Sequence, residues 1–91
     1  MLHIIKTLTG LHDAVALCHE QDALLLIEDA VYAANPQHQS FPMVKGQAAF
    51  VLDSDLLARG ISHRVSPSCT VVDYAGFVEL TEQHRNSLTW N

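Results

Sequence analysis

The segment Asp22-Ala-Leu-Leu-Leu-Ile-Glu-Asp29 constrains the fold more than any other part of the chain. Its apolar run, Ala23–Ile27, has strand length and does not alternate, so neither face of it is left to water. Such a run belongs to a central strand of a parallel sheet, buried on both faces. The flanking segments agree. Leu2–Thr7 carries β-branched residues and reads as a first strand. Leu11–Glu20, capped by Thr9 or Gly10, reads as a short amphipathic helix, because Leu11, Ala14, Val15, Leu17 and Cys18 repeat at three and four. Asp29 reads as the N-cap of a helical stretch over Ala30–Ala34.

The alternation continues. Asn35–Pro42 is polar, holds two prolines and reads as a loop, the segment expected to be most mobile. Gln47–Leu52 reads as a second buried strand. Asp53 or Ser54 caps a short helix through Leu56, Leu57 and Ala58, which Gly60 ends. Ile61–Val65 reads as a short polar edge strand and Cys69–Val72 as another apolar one. Asp73 caps a helix over Tyr74–His84, with Tyr74, Phe77, Val78 and Thr81 on one face. Ser87–Trp90 reads as a last strand. Strand and helix in turn predict an α/β fold with a mostly parallel sheet and helices on both faces, in three layers. No linker divides the chain, so residues 1–91 form one domain.

Composition limits what such a domain does. A chain of 91 residues buries only about 60–65% of the surface of its unfolded form. Charged residues make up 16%, few for a small domain with so much surface, which predicts that part of that surface is covered by another subunit. The net charge is −5, and the five basic residues, Lys6, Lys45, Arg59, Arg64 and Arg85, are scattered. Phosphate backbones are bound by clustered Lys and Arg, so neither direct nucleic-acid binding nor membrane-surface binding is expected. The start, Met1-Leu-His-Ile-Ile-Lys6, lacks a basic stretch followed by an apolar one, and runs such as Ala23–Ile27 are far too short to span a membrane. With no export signal, Cys18 and Cys69 read as reduced cytosolic thiols.

Three segments resemble the TusB/DsrH family when taken together. These are Asp22–Ala34, the turn Val51-Leu-Asp-Ser-Asp-Leu-Leu-Ala-Arg-Gly60, and Val71-Val-Asp-Tyr-Ala-Gly-Phe-Val-Glu-Leu-Thr81 followed by His84 and Trp90. The initial Met-Leu-His agrees as well, and the segments run in order over nearly the whole chain. Ala30 stands where relatives usually have Gly, and Gln37–Pro42 has no counterpart in the pattern. The resemblance implies a small flavodoxin-like fold and a cytoplasmic, non-catalytic subunit of a sulfur-relay complex. Its partners would be homologous TusC/DsrF-like and TusD/DsrE-like subunits, commonly in a heterohexamer with two copies of each. The sulfur would pass as persulfide toward 2-thiouridine at the tRNA wobble position. In the sulfur-oxidising branch of the family the alternative is a persulfide carrier that uses Cys18.

The residues themselves offer little chemistry. Cys18 is the one weak catalytic candidate. Reactive thiols favour helix N-termini, whereas Cys18 falls near a helix C-terminus and continues an apolar stripe, so a core role is expected. Cys69 reads as a buried strand cysteine. His12 and His19 lie about 10.5 Å apart along a helix, too far to share an ion. His3, His38, His63 and His84 are dispersed, and no metal site or cofactor is expected. Glu28-Asp29 and Asp53/Asp55 sit where strands give way to helices, the usual ligand crevice of such sheets, although capping explains one acid of each pair. No glycine-rich nucleotide motif is present. Tyr74, Phe77 and Trp90 are the interface candidates. Trp90 is penultimate, where chains usually fray, and Trp is a favoured interface anchor.

Overall fold

A computed structural model describes residues 1–91. Five strands, β1 (Leu2–Ile5), β2 (Ala23–Leu26), β3 (Ala48–Leu52), β4 (Thr70–Val72) and β5 (Ser87–Trp90), form one sheet in the order β4-β3-β2-β1-β5. Every pairing is parallel. Between them lie α1 (Leu8–Leu17), a 3₁₀ segment (Glu28–Ala34), α2 (Phe41–Val44), α3 (Asp53–Ala58) and α4 (Tyr74–Gln83). This is a small flavodoxin-like α/β fold.

The order of the strands decides where the helices go. From β1 to β4 each step moves the same way across the sheet, so right-handed crossovers put α1, the 3₁₀ segment, α2 and α3 on one face. The return from β4 to β5 runs the other way and puts α4 on the opposite face. Two cores result. The larger joins Ile5, Leu24, Leu26 and Val51 to Leu11, Ala14, Val31, Val44 and Leu56. The smaller joins Leu2, Ile4, Ala23 and Leu25 to Leu80, with Phe50, Val72 and Phe77 against it. The run at Ala23 is thus the central strand, buried at every residue.

Several local readings are corrected. Helix α1 starts three residues early: Thr7 is its N-cap, with Oγ1 accepting from Gly10 N–H at 2.9 Å. Gly10 itself lies in the first turn, and a Cβ there would meet the Trp90 backbone and side chain at 3.1 Å, so a bare Cα lets α1 approach β5. The helix stops at Leu17 because Asp22 captures the next turn, through His19 N–H to Oδ2 at 3.0 Å and Asp22 N–H to the His19 carbonyl at 2.9 Å. Leu17 consequently faces water.

Asp29 and Asp53 cap nothing. The 3₁₀ segment is capped from a distance, by Asp55 Oδ2 accepting from Glu28 N–H at 2.6 Å. That bond secures Glu28 in the left-handed region at φ +49°. Arg59 then bridges Asp29 (3.0 Å) and Asp55 (3.7 Å). Ile61–Val65 forms turns and no strand; the place beside β3 is taken by β4. The Asn35–Pro42 stretch is partly ordered into helix, with Phe41 and Pro42 opening α2 and Val44 buried beneath. Asp73, by contrast, caps α4 as its position predicts, accepting from Gly76 N–H at 2.8 Å. His84 closes α4 through Nδ1 to the Leu80 carbonyl at 2.9 Å. No helix is long and apolar enough to cross a membrane.

Candidate functional site

The polar groups converge at the N-terminal ends of β1 and β2, beside the edge strand β5. Strand alternation turns His3 toward the α1 face, and the β1–β5 register sets Leu88 opposite His3 and Trp90 opposite Ile5. The turn that ends α1 delivers Asp22 to the same place. Around them lies a cavity of about 290 Å³ lined by Met1, His3, Leu17, His19, Asp22, Leu88 and Trp90.

The hydrogen bonds fix the chemistry of this cluster. His3 is 2% exposed. Its Nδ1 lies 3.0 Å from Trp90 Nε1, and its Nε2 lies 2.9 Å from Asp22 Oδ2. An indole N–H only donates, so Nδ1 must accept and the ring proton sits on Nε2, donated to Asp22. Asp22 also accepts from His19 N–H on Oδ2 and from the Met1 ammonium on Oδ1, at 3.0 Å each. The His19 amide first, then His3 and the ammonium, hold its carboxyl well below the usual carboxylate range.

Cys18 adjoins this cluster. It is the C-cap of α1 and half-buried, and its Sγ lies 3.6 Å from the His19 carbonyl and from Gln47 Oε1. Burial pushes its thiol pKa up, and the Asp22 charge adds to that. Cys69 is buried just before β4, and burial raises its pKa too. Both are protonated thiols at neutral pH, and the thiolate is the nucleophile.

His3, Cys18 and Asp22 place ligand atoms within 4.8 Å of one another, a grouping the sequence spacing gave no sign of. The donor set does not fit an ion as it stands. Coordination through Nε2 requires the proton to move to Nδ1, where it would face the Trp90 N–H.

The other candidates lie elsewhere. Tyr74 is 73% exposed, at the start of α4 on the far face of the sheet. Phe77 is half-buried against the smaller core, its ring 5.8 Å from that of Tyr74. The helix face directed inward is that of Phe77 and Leu80, while Tyr74 and Val78 face outward, which corrects the single stripe expected. Trp90 does not fray: it is strand-paired, packs against the larger core and bonds His3. Three of the four acids of the ligand crevice are taken up in ion pairs, Glu28 with Lys6 at 3.6 Å and Asp29 and Asp55 with Arg59, while Asp53 is exposed. A second cleft, of about 310 Å³, lies between Asn35–Gln37 and His63–Val65 and has neither thiol nor carboxylate in its wall.

Sequence reasoning missed His3 and Asp22. The one signal available was a lone His inside the apolar strand Leu2-His-Ile-Ile5, on a side that had to be buried.

A family model described as DsrH like protein matches residues 7–87. Protein TusB of Yersinia pestis (strain Pestoides F) is 34% identical over 76 residues, which span 81% of this chain and 80% of its own. Protein TusB of Yersinia pseudotuberculosis serotype O:1b (strain IP 31758) is similar to the same extent. The family model reaches from the cap of α1 to the first residue of β5, and the relatives agree over a like share of the chain, so this protein belongs to the TusB/DsrH family.

Proposed function

We propose that this chain is a non-catalytic subunit of a cytoplasmic sulfur-relay complex that passes persulfide sulfur toward 2-thiouridine at the tRNA wobble position. The observation that carries the reading is the state of its thiols. Cys69 is buried, and Cys18 is half-buried beside the Asp22 carboxylate, so each is held away from the reactive thiolate. A subunit with such cysteines serves the relay by shape. Family membership supplies the pathway, and its partners in this reading are TusC/DsrF-like and TusD/DsrE-like homologues in a heterohexamer. Direct contact with tRNA is left to the partners, since the chain has a net charge of −5 with scattered basic residues, of which Lys6 and Arg59 are paired with acids of the same chain. Tyr74, with Phe77 packed beneath it, supplies one partner surface, and the outer side of β5 beside Trp90 another.

The test is the 2-thiouridine content of bulk tRNA in a strain lacking the gene, complemented by each variant, with the amount of assembled complex measured alongside. Cys18→Ala and Cys69→Ala should each leave thiolation near wild type, and the deletion should abolish it. A Cys18→Ala protein that assembles normally yet gives no thiouridine would replace this reading with a persulfide carrier. Thiouridine that survives the deletion would move the protein to sulfur oxidation.

A further inference from the structure

We infer that Trp90, His3 and Asp22 form an acid-released latch that fastens the edge strand β5 to the sheet. The latch does not depend on the relay reading above. It rests on a hydrogen-bond pattern that admits only one protonation state of His3.

β5 has a single sheet neighbour, β1. Its backbone is tied there by bonds such as Leu2 N–H to the Asn86 carbonyl and Lys6 N–H to the Trp90 carbonyl, both 3.0 Å. Ser87, Leu88 and Thr89 are exposed, so little packing holds the strand from outside. The side-chain tie is the indole of Trp90. It donates to His3 Nδ1, and His3 in turn donates from Nε2 to Asp22. Indole to imidazole to carboxylate is a directed chain, closed at its far end because Asp22 already accepts from His19 N–H and the Met1 ammonium.

One proton breaks this chain. A proton taken from solvent binds the Nδ1 lone pair, the atom that accepts from Trp90. The imidazolium keeps its Nε2–H bond to Asp22, but at Nδ1 two donors now face each other at 3.0 Å. The indole must swing out, and the cavity beside Leu17 and Leu88 gives it room. The groups facing His3 are the Asp22 carboxylate, the Met1 ammonium, the Cys18 thiol and His19. Trp90 carries no charge and acts only through its N–H. Protonation thus trades a buried tie to β5 for a stronger ion pair to Asp22, and it loosens the strand without unfolding the sheet.

The test uses the full chain labelled with nitrogen-15 at histidine and tryptophan. At neutral pH the His3 nitrogens should report an unprotonated Nδ1 and a protonated Nε2. On acidification the Trp90 indole N–H resonance should lose its hydrogen-bonded shift with the same midpoint as His3. Protection factors at the Leu88 and Trp90 amides should fall at least tenfold through that midpoint, while those at Leu24 and Leu26 of β2 stay high. In Trp90→Phe, exchange in β5 should no longer follow the His3 titration. If that variant does not fold, the wild-type tautomer and shared midpoint decide alone. A His3 that carries its proton on Nδ1 at neutral pH overturns the latch. So does an indole resonance indifferent to the His3 titration, or a His3 that gains its proton only as the whole sheet unfolds.

Discussion

Asp22 accepts hydrogen bonds from three donors, and only one of them, His19, is its neighbour in sequence. The carboxylate therefore closes the turn after α1, orients His3 and meets the chain's amino group at once. Bonds to a charged acceptor are each worth about 1.5–3 kcal/mol. Asp22→Asn keeps an acceptor oxygen but loses the charge, and urea denaturation at pH 7 should show a loss of about 2 kcal/mol. The pH dependence gives the sign. The folded carboxyl titrates below its unfolded value, so its contribution is fully present above about pH 4 and is lost as pH falls through the folded value. The gap between wild type and Asp22→Asn should narrow as pH falls below about 4. A gap that widens below about pH 4 would contradict the assignment.

At the scale of elements, the β4–α4 junction shows a local preference overruled by packing. Gly76 lies in the first turn of α4, where Ala would ordinarily favour the helix by about 0.5–1 kcal/mol. A Cβ on Gly76 would stand 2.9 Å from Val72 Cβ. Val72 Cβ is fixed by its own strand and cannot swing aside as a flexible side-chain tip would. Overpacking of this kind costs about 1–3 kcal/mol, so it outweighs the propensity gain. Gly76→Ala should therefore lower the urea midpoint, and a raised midpoint would show that α4 sits less closely on β4. The same junction explains the outward turn of Tyr74. The Asp73 cap sets the phase of the helix, and with Phe77 and Leu80 directed inward, Tyr74 and Val78 are left on the outer side.

For the whole molecule, the uneven covering of the sheet bears on assembly. Four helical elements cover one face, and α4 alone covers the other. Tyr74, Val78 and Val71 are exposed on or beside α4 and β4. The few charges of the chain and these exposed apolar groups predict that it works in an assembly. Sedimentation should show at least a dimer alone or a larger complex with its partners. Tyr74→Asp, at a side chain 73% exposed, should change thermal stability by less than about 0.5 kcal/mol and shift the assembly toward smaller species. A clean monomer at micromolar concentration with partners present would remove the basis for this surface.

The sequence by itself determined the local matters. The apolar run at Ala23 set the central strand, strand–helix alternation set the parallel sheet, and Asp73 and Gly60 marked helix ends, because burial and capping act over a few residues. It did not determine Asp55 as a cap for Glu28, which lies 27 positions away, nor the failure of Ile61–Val65 to find a strand partner. The tertiary structure alone decided that β5 would lie beside β1. Ser-Leu-Thr-Trp has no pattern that prefers one sheet edge to the other, and the choice follows from the long return across the sheet under α4. That choice joins Trp90 to His3 across 87 positions and His3 to Asp22 across 19. Spacing along the chain carries no record of such a meeting, because each residue alone satisfies a simpler role: a chain-end aromatic, a strand histidine and a turn acid.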